Sequence, residues 1–180
     1  MIRVLVRRSC LALSLLAASM TSYAQFEGPP LGAGPWVIES FEQEYVKASI
    51  MARGLDHPFG MAFLPGTTTS ANPLGDVLIT ERTGKLRLLK NGQLQAAPVA
   101  DLKGIFSLEQ LFDVKLHPQF ADNHLVYFTY IKTAPNPNGT KDYWVTTALA
   151  NGRYEDGKLT DVKDVFVAEA WSSNIGGASS

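Results

Sequence analysis

An all-β fold of repeated four-stranded antiparallel units is what this sequence predicts, and three observations predict it. Residues 111–132 hold a short strand ended by His117-Pro118, then a polar turn at 119–124. A β-branched and aromatic run at 125–130 follows, long enough for a strand buried on both faces. The same order occurs earlier, from Phe59 to Pro65, through a Gly/Thr/Ser/Asn loop, to 76–82. The third observation is Asn-Gly, a strong hairpin signal, at the matched places Asn91-Gly92 and Asn151-Gly152. Met61 and Val114 stand 53 residues apart, and Leu78 and Val126 stand 48 apart. Four-stranded units at this period are the sequence form of β-propeller blades; an antiparallel sandwich is the alternative.

The first 24 residues stand outside this pattern. Arg3, Arg7 and Arg8 form a positive head, 11–18 an apolar core, and Ser22-Tyr23-Ala24 a small-residue cleavage site. Residues 1–24 thus read as a signal peptide, and the protein as periplasmic or secreted. The apolar run is shorter than the roughly 20 residues a membrane span needs. A retained anchor is the alternative, and Arg7-Arg8 also admits a twin-arginine signal.

Residues 25–44 are expected to be a leader or linker, because 25–35 hold three prolines and three glycines. Residues 36–52 read two ways. Trp36, Val37, Phe41 and Tyr45 would line a helix face, while 45–51 alternate like a strand.

Residues 45–180 are expected to be the N-terminal part of the propeller, with blades at 54–105 and 106–170. The first blade takes strands at 59–64, 76–81, 85–90 and 94–102. Within 85–90, Leu86 and Leu88 face one way and Lys85 and Arg87 the other. The second takes 113–116, 125–130, 143–150 and 159–169, with a Pro/Asn loop at 133–141. Residues 171–180 form a Gly/Ser loop that reads as a chain stopped in mid-loop, or as a frayed natural tail. Two blades alone leave two apolar faces wet, and a closed propeller needs at least about four. Either more chain or self-assembly into a ring is expected to cover them.

Composition narrows the chemistry. Without Arg3, Arg7 and Arg8, 13 basic residues face 17 acidic ones, a net charge of −4. No basic cluster remains to bind nucleic acid. The only cysteine, Cys10, lies in the signal segment, so disulfides, thiolate metal sites and cysteine catalysis are excluded after cleavage. His57 and His117 each precede proline at corresponding points of the repeat, which favours turn capping over catalysis. His124 falls in a polar turn. Glu81 and Arg82 end a buried strand, either as a structural pair or facing the axis. Glu109 and Asp113 invite acid/base or calcium chemistry, with a strand cap as the simpler role for Asp113. Trp36, Trp144 and Trp171 are too scattered for a sugar-stacking platform.

Three motifs occur in one order: Gly54-Leu55-x-His57-Pro58-Phe59-Gly60-Met61-Ala62-Phe63-Leu64-Pro65, Leu78-Ile79-Thr80-Glu81-Arg82-Thr83-Gly84-Lys85-Leu86-Arg87, and Asp113-Val114-x-Leu116-His117-Pro118-Gln119-Phe120-Ala121-x-Asn123-x-Leu125-Val126-Tyr127. Over about residues 46–180 the chain resembles the glucose/sorbosone dehydrogenase family of soluble quinoproteins, among them the periplasmic aldose sugar dehydrogenases. The resemblance implies a six-bladed propeller, of which this chain holds about the first two blades. It also implies pyrroloquinoline quinone (PQQ) and calcium, with ligands outside this chain. The implied reaction oxidises a sugar (an aldose) or related alcohol, passing electrons to an external acceptor. The family's catalytic Gln, in Gly-Gln-Gly-Gly-Leu-Leu, falls on Leu108; its His, in His-x-Gly-x-Arg, falls within 174–180, where there is no His. Gln110 and Asn174 are left as the catalytic candidates. A periplasmic propeller serving as a non-catalytic binding or scaffold module is the alternative, and a calcium-dependent lactonase a third reading.

Overall fold

A computed structural model describes residues 32–39, 45–139 and 143–173. The chain divides into two units, 1–34 and 35–180; only 32–34 of the first are described, so the fold below is that of the second. The expected signal peptide, Phe41 and Asn174 lie outside the described residues.

The unit is all-β apart from two short turns of helix. A two-stranded ribbon comes first, β1 (Trp36–Ile38) against β2 (Val46–Ala48); the helix-face reading of Trp36 and Val37 gives way to a strand. Next comes an antiparallel meander of β3 (Pro58–Phe63), β4 (Val77–Glu81), β5 (Lys85–Lys90) and β6 (Gln93–Leu94), with β7 (Ala100–Asp101) also on β5. A second meander follows, of β8 (Leu108–Leu116), β9 (Leu125–Pro135), β10 (Tyr143–Glu155) and β11 (Lys158–Val167), with β12 (Ser172–Ser173) on β10. Both sheets thus run first strand to fourth in chain order.

Three local expectations are corrected. The fourth strand expected at 94–102 is only the two short pieces β6 and β7. Pro98 between them has no N–H to offer, and Arg87 Nη2 claims the Gln95 carbonyl at 2.9 Å. Asn151-Gly152 is not a turn: both lie inside β10, opposite Tyr127 and Val126. Gly152 serves close packing instead, because a Cβ there would meet the Leu159 side chain at 3.0 Å. The second hairpin turns at Asp156-Gly157 (φ 49° and 76°), matching Asn91-Gly92 (φ 50° and 72°). Finally, β9 is not buried on both faces; Val126, Phe128 and Tyr130 are buried and their alternates half-buried.

The polar turn at 119–124 contains a four-residue helix, Phe120–Asn123, ended by His124 in the left-handed region (φ 56°). His117 caps the turn backbone ahead of it. Its Nδ1 accepts from the Gln119 N–H at 3.0 Å and lies 2.8 Å from Asn123 Nδ2. A backbone N–H only donates, so Nδ1 is unprotonated and the ring proton sits on Nε2.

Most of the core lies between the sheets, and a smaller cluster of Val77, Ile79 and Leu89 packs under Ala52, Leu55 and Leu94 on the far face of the first. Ala62, Leu64, Leu78, Leu86 and Leu88 of the first pack on Val114 and Val126 of the second. A second cluster continues along the second sheet through Leu108, Leu111, Phe128, Tyr130, Ala148 and Ala150, closed by Leu102. Gly60 marks the closest approach. A Cβ there would stand 2.6 Å from Asp113 Oδ1 and 2.8 Å from Asp113 Cα. Thr80, fully buried, joins three strands: its Oγ1 accepts from Gly60 N–H (2.9 Å) and donates to the Phe112 carbonyl. On the far face of the first sheet Met61 and Phe63 remain about half exposed, and on β11 Val165 and Phe166 do too.

Gly60→Ala is expected to lower stability by about 1–3 kcal/mol through overpacking against the β8 backbone, read as a lower urea midpoint. A second test uses Tyr130, whose hydroxyl donates to Asp164 Oδ1 at 2.6 Å with Lys132 on the other carboxylate oxygen. Burial, then the Asp164 bond and charge, push the Tyr130 hydroxyl well above its ordinary 10.0. The folded state holds that proton more tightly than the unfolded one, so this stability is complete below pH 10 and is lost as pH rises beyond it. Denaturant titrations at rising alkaline pH should show that loss, and Tyr130→Phe should remove this component.

Candidate functional site

The site is assembled where β4 ends and β8 begins. Pro58 pairs with Glu81, and Arg82 N–H donates to the His57 carbonyl at 3.0 Å, holding the 56–58 turn on this end of the sheet. The second sheet arrives through Leu111 N–H, which donates to the Arg82 carbonyl at 3.2 Å. Phe59 and Phe112 meet across the junction as a tilted pair, ring centroids 5.1 Å apart and planes 50° apart. Around this joint gather the residues the sequence singled out: His57, Glu81, Arg82 and Gln110.

A β-bulge decides which side chain of β8 reaches it. Leu108 is opposite Lys132 and Gln110 opposite Ile131, so Glu109 is an extra residue. A bulge of this kind re-aims the side chains around it. Leu108, at the family's Gln position, turns into the core and is buried. Gln110 turns out, and its Oε1 accepts from Arg82 Nη2 at 2.5 Å. A guanidinium only donates, which fixes the amide orientation and leaves the Gln110 NH2 as a donor pair. An open surface depression of about 480 Å³ is lined by residues 103–108 and Thr133, and neither Arg82 nor Gln110 lines it.

Glu81 does not pair with Arg82. Its Oε1 accepts from Arg87 Nη1 at 3.0 Å and from Asp56 N–H at 2.9 Å, and the side chain is fully buried. Glu81 Oε2, Thr83 Oγ1 and Arg87 Nε are buried without a hydrogen-bond partner. This is a structural ion pair under the site. Sequence reasoning missed Arg87; the available signal was register, since Ile79 lies opposite Arg87 and Glu81, two residues on, is its diagonal neighbour on the same face.

The side chains of His57 and of the remaining candidates are engaged locally, away from the Arg82–Gln110 pair. His57 is exposed and pairs with Asp56 at 2.6 Å. Asp113 accepts from its own neighbour, Val114 N–H, at 2.9 Å and lies 3.5 Å from Lys115. His124 stacks on Phe120 at the opposite end of the sheets. Among the described residues no three His, Cys, Asp or Glu side chains are grouped to hold a metal ion. No described helix is long and apolar enough to cross a membrane.

Residues 55–178 match the Glucose / Sorbosone dehydrogenase family. The chain is 37% identical over 139 residues to an uncharacterized protein of Synechocystis sp., covering 72% of this chain and 30% of that protein. It is 31% identical over 125 residues to the aldose sugar dehydrogenase YliI of Escherichia coli, covering 67% and 30%. A crystal structure of a glucose dehydrogenase superposes with TM-score 0.52 at 28% identity, covering 67% of this chain and 33% of that one. The chain belongs to the glucose/sorbosone dehydrogenase family, a family of sugar oxidoreductases. It spans about 30% of the length of the curated relatives it matches.

Glu81→Leu is expected to cost about 3–5 kcal/mol by stranding a buried guanidinium, and adding Arg87→Met to recover much of it. A double-mutant cycle in urea checks both values.

Proposed function

We propose that this chain is the N-terminal part of an exported, quinoprotein-like oxidoreductase that oxidises a sugar (an aldose) or related alcohol. The observation that carries this reading is the family match over 55–178, falling on two successive antiparallel four-strand meanders. On this reading residues 1–24 are the signal peptide, 25–44 the leader, and 54–105 and 106–170 the first two blades of a six-bladed propeller. The half-exposed Met61 and Phe63 on one side and Phe166 on the other are where neighbouring blades would pack.

PQQ and calcium come to this reading from the family resemblance. The described residues do not by themselves fit either group: no acidic or histidine cluster is present among them, and Leu108 takes the Gln position. No chemical step is therefore derived through the quinone or the ion. Those groups would supply hydride acceptance and charge neutralisation when bound. What this chain offers is Gln110, oriented by Arg82, whose NH2 would donate to a hydroxyl or carbonyl oxygen of a bound sugar. Asn174, the other candidate, would stand where the family keeps its base, yet an amide does not take a proton near neutral pH. The proton of the oxidised hydroxyl would then need another acceptor. Buried Leu108 is the observation on the side of a non-catalytic propeller; the name of the Escherichia coli relative is on the side of the enzyme.

The test is aldose-dependent dye reduction by the complete gene product reconstituted with PQQ and calcium, an artificial dye serving as external acceptor. Reduction that requires the quinone is expected, and Gln110→Ala should lower kcat/KM about tenfold or more with an unchanged melting midpoint. No reduction, with no quinone retained after gel filtration, would overturn the enzyme reading.

A further inference from the structure

At the other end of the sheets, one strand length from Arg82, the loops after β3, β8 and β10 meet around a groove that the reading above does not use. One part is a cavity of about 300 Å³ lined by Asp76, Lys90, Tyr154 and Asp156, among others. An adjoining one of about 230 Å³ shares Tyr154 and Asp156 and continues to Phe120 and His124. Together they reach the size of small-molecule sites, ~300–1,000 Å³.

The lining has two kinds of chemistry in fixed positions. One is a run of aromatic faces. Phe120 stacks with His124 at 5.8 Å and 24°, and with Tyr154 at 6.5 Å and 27°. Tyr154 N–H donates to the His124 carbonyl at 2.8 Å, tying the strand to the loop. The other is a set of oxygen acceptors. Asp76 is more than nine-tenths buried, and its hydrogen bonds, from Asn72 Nδ2 and Asn91 N–H, both fall on Oδ1. Its Oδ2 carries neither bond. Asp156 sits at the rim in the left-handed turn conformation. Burial, then the Asp76 and Asp156 charges, raise the Tyr154 hydroxyl above its ordinary range, so it stays protonated near neutral pH.

Such a lining separates three ligand classes. A divalent cation wants six or more oxygens around it, and among the described residues no three acidic or histidine side chains are placed to hold one. An anion meets Asp76, Asp156 and Glu155, which lines the groove 4.0 Å from His124 Nδ1. A neutral polyol suits all of it: ring C–H groups lie on aromatic faces, hydroxyls donate to the carboxylates, and Lys90 donates to a hydroxyl oxygen. We infer that this groove is a saccharide-binding subsite that takes a pyranose, with one sugar face against Tyr154 and its hydroxyl edge toward Asp76 and Asp156.

The test is an NMR titration of the isotopically labelled full chain with methyl β-D-glucopyranoside, with calcium chloride titrated in parallel. The glycoside has no free anomeric hydroxyl and no quinone is added, so the outcome is independent of the proposed dehydrogenase activity. Saturable shifts at Tyr154, His124 and Asp156 are expected. Asp156→Asn, which tolerates the turn geometry, should weaken binding about tenfold with the melting midpoint unchanged, and Tyr154→Phe should weaken it as well. No saturable glycoside shift, shifts unaltered in Asp156→Asn, or shifts with calcium alone would each overturn the inference.

Discussion

The contact between the two sheets is the constraint on which the rest of the structure depends. Leu78, Leu86, Val114 and Val126 are buried there without residual exposure. Each such side chain contributes about 1.5–3 kcal/mol, against about 1 kcal/mol for a hydrogen bond. Apolar burial therefore drives the sheets together, and Thr80 fixes how they sit. Its single hydroxyl joins Gly60 to Phe112, and no side chain at Gly60 intervenes. β8 shifts register against β9 twice, between Leu111 and Val114 at this contact and as a bulge at Glu109. That bulge sends Leu108 inward and Gln110 toward Arg82.

The same stacking gives the molecule two chemically different ends. Where β4 ends, the polar groups are committed in pairs: Glu81 to Arg87 and Asp56, and Arg82 to Gln110. Where β4 begins, Asp76 anchors the β3–β4 loop and the Asn91 turn through one oxygen only. The aromatic faces beside it come from the other sheet. Each sheet also keeps an outward apolar surface, seen at Met61 and Phe63 on one and at Phe166 on the other. On the first sheet that outer surface is partly covered, because Ala52, Leu55 and Leu94 pack on buried Val77, Ile79 and Leu89.

Much of this was legible in the sequence where signals were local. The Leu86/Leu88 against Lys85/Arg87 alternation and the Asn91-Gly92 turn are short-range and were read as they stand. The reading of 151–152 as a turn failed because Asn-Gly signals a turn only where the backbone takes positive φ. Here β10 runs on to Glu155, and Gly152 makes room for Leu159. The sequence pattern starts this strand at Asp113, five residues late, because a bulged strand breaks the two-residue alternation. For Glu81 it offers Arg82 as a structural pair or a place facing the axis; its partner Arg87 comes from the register of a hairpin. Gln110 is a candidate only through the family resemblance. What places it at the joint is Arg82, 28 residues away.

The most direct test of this account is a set of NOE measurements on methyl- and ring-labelled protein. They should show cross-peaks between the methyls of Leu78 or Leu86 and those of Val114 or Val126, and between the rings of Phe59 and Phe112. Cross-peaks confined within each sheet, with none joining the two, would contradict it.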